Sequence, residues 1–130
     1  MLARNFLSAK ELGLPPKHYD ALIKTLHAME RGELKHVPVR VSMVVRSRAR
    51  FSGLFSMRWW KHSTYCGTVA CIGGTAELLG GVRFNQRSMR NAKPLWRLFY
   101  PVGDGWDATV EQAAEALSCY LTAGRAPDNW

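Results

Sequence analysis

Three thiols and four imidazoles are the side chains here whose types suit catalysis or metal binding. Cys66 and Cys71 stand five positions apart in YCGTVACIGGTAELLGG, residues 65–81, and Cys119 follows much later. A thiolate at a helix start is stabilised by the helix dipole. A helix expected to begin near Thr68 therefore makes Cys66 the candidate nucleophile of a small hydrolase or transferase. Such a nucleophile needs a base, usually histidine. All four histidines, His18, His27, His36 and His62, precede Cys66. That excludes the papain-like order and leaves His62 as the nearest base, with Asp104 or Asp107 to orient it. Structural zinc takes four ligands, commonly as two close cysteine pairs. His62, Cys66 and Cys71, with Cys119 as a fourth, are the candidate ligands. The Gly-Lys-Ser/Thr ending of a phosphate loop and a GxGxxG turn are both absent, so no cofactor is expected.

Packing explains the same stretch without chemistry. A glycine within a helix costs about 1 kcal/mol relative to alanine, so Gly73 and Gly74 require an offsetting contact. With Ala70, Cys71 and Ala76, they leave the segment small-sided enough for an aromatic such as Trp59 or Trp96 to reach the backbone. Cys66 and Cys71 then serve as small apolar core residues.

The charge is unevenly placed. Of the 130 residues, 47% are hydrophobic and 22% charged, with a net charge of +8. Between Leu34 and Gly103 twelve Lys/Arg face one acid, Glu77, giving +11, while the flanks carry −3. A basic centre with mildly acidic ends favours phosphate or an acidic protein surface as partner. The length fits a single compact domain, 1–130. Three cysteines are too few for a disulfide framework, and neither a signal peptide nor a membrane span is apparent. These features together predict a cytoplasmic protein with reduced thiols.

The elements that must position these residues follow from periodicity and capping. Ser8 to Glu11 has capping-box spacing for a short first helix. Pro16 to Arg31 has an apolar face of Tyr19, Leu22, Ile23, Leu26, Ala28 and Met29, closed by Gly32. From Val37 to Val45 and again from Phe51 to Trp59 the apolar positions alternate, predicting a β-hairpin near residues 37–60, with Pro38 placing its first strand at an edge. NQRSMRNAKPLWRLFYP predicts a basic amphipathic helix bent or broken at Pro94. Asp107 or Thr109 caps a last helix running to about Ala123, ended by Gly124, and Trp130 is available to pack back as an anchor. The predicted class is α+β, predominantly helical, with four to five helices.

Phe55, Met57 and Trp60, followed by Cys66-Gly67-Thr68, Ala70-Cys71-Ile72, Gly74 and Ala76, resemble an uncharacterised group of small bacterial and phage proteins with an FxMxxW…CGTxACIxGxA pattern. The likeness covers roughly residues 55 to 130 and extends to Leu98-Phe99 before proline and to the alanine-rich last helix. It implies no activity, substrate or cofactor, and its phage members imply a role in phage–host conflict. Thr75 within the GxA element and the arginine-rich stretch before Phe55 depart from the pattern, so a function tied to that stretch is particular to this chain.

The leading expectation is a non-enzymatic binding module whose basic region, 34–103, contacts nucleic acid or an acidic nucleic-acid-handling protein. Arg46, Arg48, Arg50, Arg58, Lys61, Arg87, Arg90 and Arg97 are its expected phosphate or carboxylate contacts, with Trp59 or Trp60 as stacking surfaces. A Cys66-dependent enzyme and a structural or oligomerising protein are the alternatives.

Overall fold

The computed structural model describes residues 5–37, 48–64, 67–85 and 92–130. Ser8 accepts a hydrogen bond from the Glu11 amide while Glu11 Oε1 accepts one from the Ser8 amide, and this reciprocal cap starts α1, Ala9–Leu12. Pro16 opens α2, Pro16–Glu30, where its missing N–H forfeits nothing. α5, Val110–Ala123, has a second capping box, made by Thr109 and Gln112, and ends on Gly124 in the left-handed region. These three helices match their expected spans.

Four strands, β1 (Lys35–His36), β2 (Phe51–Phe55), β3 (Lys61–Thr64) and β4 (Gly67–Ala70), form a mixed sheet in the order β1-β2-β4-β3. β2 pairs in parallel with both β1 and β4, and among the described residues only β3 and β4 are antiparallel. The antiparallel hairpin among the described residues thus spans Lys61–Ala70 rather than 37–60. Of the expected first arm, 37–45, Val37 is described and follows β1 outside any strand, and residues 38–45 lie outside the described residues. The second arm begins as predicted at Phe51 but stops at Phe55, with both described pairings parallel. Gly53, at φ +72°, sits where the β2 register shifts between Phe51 and Leu54, and the Glu33 carbonyl lies close to where a side chain would begin.

The glycine-rich stretch also divides differently. Gly67–Ala70 is strand, and α3 covers Ile72–Gly80, so Cys71 rather than Cys66 stands at the helix start. Residues Thr68 to Ala70 satisfy their backbone in the sheet, which postpones the helix by four positions. α4 covers Lys93–Phe99, and Pro94 lies in its first turn, starting this helix instead of bending it. Residues 86–91, the rest of the predicted basic helix, lie outside the described residues.

α2 packs on α3 and α5, and α3 also covers β2 and β4. Leu22 and Leu26 of α2 meet Ile72 and Ala76 of α3, Leu95, Leu98 and Phe99 of α4, and Leu117, Tyr120 and Leu121 of α5 in one apolar core with Phe55 and Met57. Trp130 is buried against it, its indole N–H donating to the Leu98 carbonyl at 2.7 Å.

Trp60 supplies the contact that the paired glycines require. A Cβ on Gly73 would strike its indole ring, and one on Gly74 would strike its carbonyl oxygen. The aromatic at the glycines is therefore Trp60, not Trp59 or Trp96. In an ordinary helix glycine-to-alanine stabilises by about 1 kcal/mol. Gly74→Ala should instead lower the urea midpoint, with a net loss of about 1–3 kcal/mol from overpacking. An unchanged or higher midpoint would mean that the Trp60 backbone yields without cost.

Candidate nucleic-acid interface

A chain of hydroxyls fixes the end of the sheet that carries Arg50. The Arg50 amide donates to Thr68 Oγ1 at 3.1 Å, the Thr68 amide donates to Ser52 Oγ at 3.0 Å, and Ser52 Oγ–H donates to the Arg50 carbonyl at 3.1 Å. Ser63 Oγ extends the chain to β3, 3.4 Å from Thr68 Oγ1. These groups tie β2, β4 and β3 together beside Phe51, which pairs with Thr68 and is 37% exposed. Arg48 and Arg50 are exposed, as is Lys35 on the edge strand. None of the three forms an ion pair among the described residues.

Other expected contacts are engaged within the fold. Arg58 donates from Nε at 3.0 Å and Nη2 at 2.8 Å to one oxygen of Asp107. Both partners are largely exposed, so this bridge contributes about 1 kcal/mol at most. Asp107 is consequently not aligned with a histidine base. Lys61 Nζ lies 2.9 Å from Glu77 Oε1. Arg97 Nη2 donates to the Asp128 carbonyl at 3.3 Å. Arg46, Arg87 and Arg90 lie outside the described residues.

The two tryptophans take different roles. Trp59 stacks on His62, with ring centroids 3.9 Å apart and planes at 23°. Trp60 donates its indole N–H to Glu77 Oε1 at 2.7 Å, meets Phe99 edge-on and lies nearly parallel to Tyr100. Its ring and its donor are both used internally. The Phe84 amide donates to the other Glu77 oxygen at 2.7 Å. Glu77, the lone acid of the basic centre, is thus a buried junction of a strand lysine, an aromatic and a loop amide.

Cys71 is the small core residue that packing predicts. It is 2% exposed, and its Sγ accepts from the Gly74 amide at 3.5 Å, capping α3. Burial is the main cause pushing its thiol from 9.0 up to about 11, against the smaller opposing pull of nearby amides. His62 pairs across the hairpin with Val69, whereas Lys61 pairs with Ala70 on the face that meets Glu77. Cross-strand partners share a face, so His62 points away from α3, which Cys71 caps. Cys66 lies outside the described residues. Among those residues no group of three or more His, Cys, Asp and Glu could hold a metal ion, and no helix is long and apolar enough to cross a membrane.

Neither the hydroxyl chain nor the exposure of Phe51 beside it is legible in the sequence. Ser52 and Thr68 alternate with apolar residues in their strands, a signal for direction but not for pairing across sixteen positions. Neither a family model, nor a curated protein, nor a solved structure matches the chain.

Two predictions test the buried groups. A neutral-pH thiol reagent should leave Cys71 unmodified in the native state and label it on unfolding. Because its folded pKa is raised, the stability linked to Cys71 is present below about pH 9 and lost as pH rises towards about 11. Cys71→Ala should blunt that part of the alkaline decline in thermal melts, and rapid native labelling of Cys71 would contradict this account. For Glu77, Glu77→Leu leaves the Trp60 and Phe84 donors without acceptors, at about 1–3 kcal/mol each. Glu77→Gln keeps one acceptor oxygen and should be milder by chemical denaturation, and equal losses would show that the hydrogen bonds are not what matters there.

Proposed function

We propose that the chain is a non-enzymatic binding module that meets nucleic acid through the end of the sheet bearing Arg48, Arg50 and Phe51. The observation that carries this reading is the contrast in how the cations are used. Arg58, Lys61 and Arg97 have partners within the fold, whereas Arg48 and Arg50 are exposed without an ion pair among the described residues. A guanidinium without an intramolecular carboxylate is available for bidentate contact with phosphate. The exposed Phe51 ring beside Arg50 offers a surface on which a base can stack, as in single-strand binders. The Arg50 backbone is held by Thr68 and Ser52, so less ordering is needed on binding. Arg46 adds charge to the same stretch of sequence.

Trp59, stacked on His62, and Trp60, committed to Glu77, are assigned to the fold in this reading, and Phe51 replaces them as the stacking residue. The resemblance to phage proteins adds phage–host conflict as the setting in which such binding would operate.

The test is a salt series of fluorescence anisotropy with single-stranded and duplex oligonucleotides. Each neutralised phosphate contributes about −0.7 or −0.9, respectively, to the log–log slope. Arg48→Glu with Arg50→Glu should weaken binding and flatten the slope by about one per lost contact, with an unchanged melting temperature. Phe51→Ala should weaken single-strand binding more than duplex binding. Absence of binding at low salt would redirect the reading to an acidic protein surface, and an unchanged slope in the double variant would remove these arginines from the interface.

A further inference from the structure

An aromatic surface lies on the outer side of α4 and the turn that follows it. Tyr100 and Val102 are 46% and 77% exposed, either side of the buried Pro101, and with Phe51 they are the exposed large apolar side chains among the described residues. Two half-buried indoles flank Tyr100. Its ring stacks nearly parallel to Trp60, with centroids 6.0 Å apart and planes at 14°, and to Trp96, at 6.1 Å and 22°. The buried Phe99 meets both indoles edge-on, and Trp60 is fixed through Glu77. The row of rings is therefore held in place before any partner arrives. α4 reads KPLWRLF, so Lys93 and Arg97 share its outer side with Trp96 and Tyr100 at three- and four-residue spacing. Neither cation forms an ion pair among the described residues, and the Arg97 guanidinium meets a carbonyl, that of Asp128.

We infer that this surface docks a proline-rich, acidic segment of a partner protein in the polyproline II conformation. Such segments are recognised by grooves between exposed aromatic rings. A row of near-parallel rings offers those grooves, and pyrrolidine rings, already fixed in φ, fill them with little entropy left to lose. A polyproline II backbone leaves its carbonyls unbonded, and the Tyr100 hydroxyl is a donor with no partner among the described residues. The buried Trp96 indole N–H also lacks an acceptor, so turning that ring towards a ligand carbonyl breaks no hydrogen bond. Lys93 and Arg97 set the sign. Carboxylates beside the prolines meet two uncompensated cations, and a basic segment is repelled. A nucleobase fits less well, because it stacks on an open ring face and Tyr100 turns its ring to two indoles. The surface shares no residue with Arg48, Arg50 and Phe51, so the inference stands independently of nucleic-acid binding.

The experiment is an NMR titration of nucleic-acid-free full-length protein with a short peptide of prolines interrupted by two aspartates. Saturable shifts of the amides of residues 96–102 and of the Trp60 and Trp96 indole N–H groups are expected. Counterparts with glycine for each proline, or lysine for each aspartate, should bind about tenfold more weakly or worse. Tyr100→Ala should weaken binding about tenfold or more, the loss typical of an interface anchor, and Tyr100→Phe by less. Lys93→Glu should narrow or reverse the preference for aspartate over lysine. Arg48→Glu with Arg50→Glu should leave peptide binding intact, so failure of the nucleic-acid reading and failure of this one are separable. Melting curves verify that each variant is folded, and the shifts in the unmodified protein report the site directly. Non-saturating binding, equal affinity for the glycine counterpart, or shifts away from residues 96–102 would overturn the inference. So would a loss of oligonucleotide binding in Tyr100→Ala as large as in the double arginine variant, which would give the surface to nucleic acid. Loss of a dimer in Tyr100→Ala would overturn it too, giving the surface to a second copy of the chain.

Discussion

The buried carboxylate of Glu77 holds the molecule's two halves in register. Its oxygens accept from the Trp60 indole and the Phe84 amide and face the Lys61 ammonium. An unpaired charge at such a depth would be prohibitive, and each donor would be costly without its acceptor. The three partners come from the approach to β3, from β3 itself and from the loop after α3. Satisfying one acid therefore sets where the hairpin sits on the helix. The glycine pair follows from this constraint, since Trp60 can reach Glu77 only by crossing the first turn of α3 at backbone distance.

That arrangement also sorts the basic residues by use. One acid within a +11 segment neutralises one lysine, and the acidic flank supplies Asp107 for Arg58. Arg48 and Arg50 lie beyond both. The Arg50 backbone is nonetheless ordered by hydroxyls of β2 and β4, so structure and charge are supplied by different residues at the same place. The α5 side carries the reverse sign. On the proposed reading, the field of the unpaired arginines would attract an anionic partner before contact is made.

Local signals were legible in the sequence and non-local ones were not. The Ser8–Glu11 capping box, Thr109 as one of two expected caps, Pro16, Gly124 and the apolar stripes of α2 and α5 mark helices through residues close to each other in sequence, whereas the reciprocal role of Gln112 at the start of α5 emerges only in the structure. Strand alternation at Phe51 to Phe55 was likewise visible. Its partners were not, because alternation records which face is buried and says nothing of whether the neighbour runs parallel or antiparallel. β4 and α3 adjoin with only Cys71 between them, so small apolar residues of both merged into one apparent helix. Among the basic residues, side-chain type announced charge, but the distinction between Arg58 and Arg50 depends on Asp107, forty-nine positions from Arg58.

The parallel pairings of β2 also bear on how the chain acquires its shape. Strands that pair in parallel must be joined by a crossover rather than a tight turn, so their contacts cannot form until separated segments have met. Of the described pairings, β3 with β4 alone joins near neighbours in sequence. Helix α5 carries its own capping box and α2 starts on Pro16, so both can form from local interactions, whereas β1 and β2 must wait for long loops to close. Folding is consequently ordered from the helices and the Lys61–Ala70 hairpin inward, with the arginine-bearing end of β2 among the last parts to be fixed. The surface proposed for binding is among those whose geometry matures late, so a nascent chain would present its charge before it presents its shape.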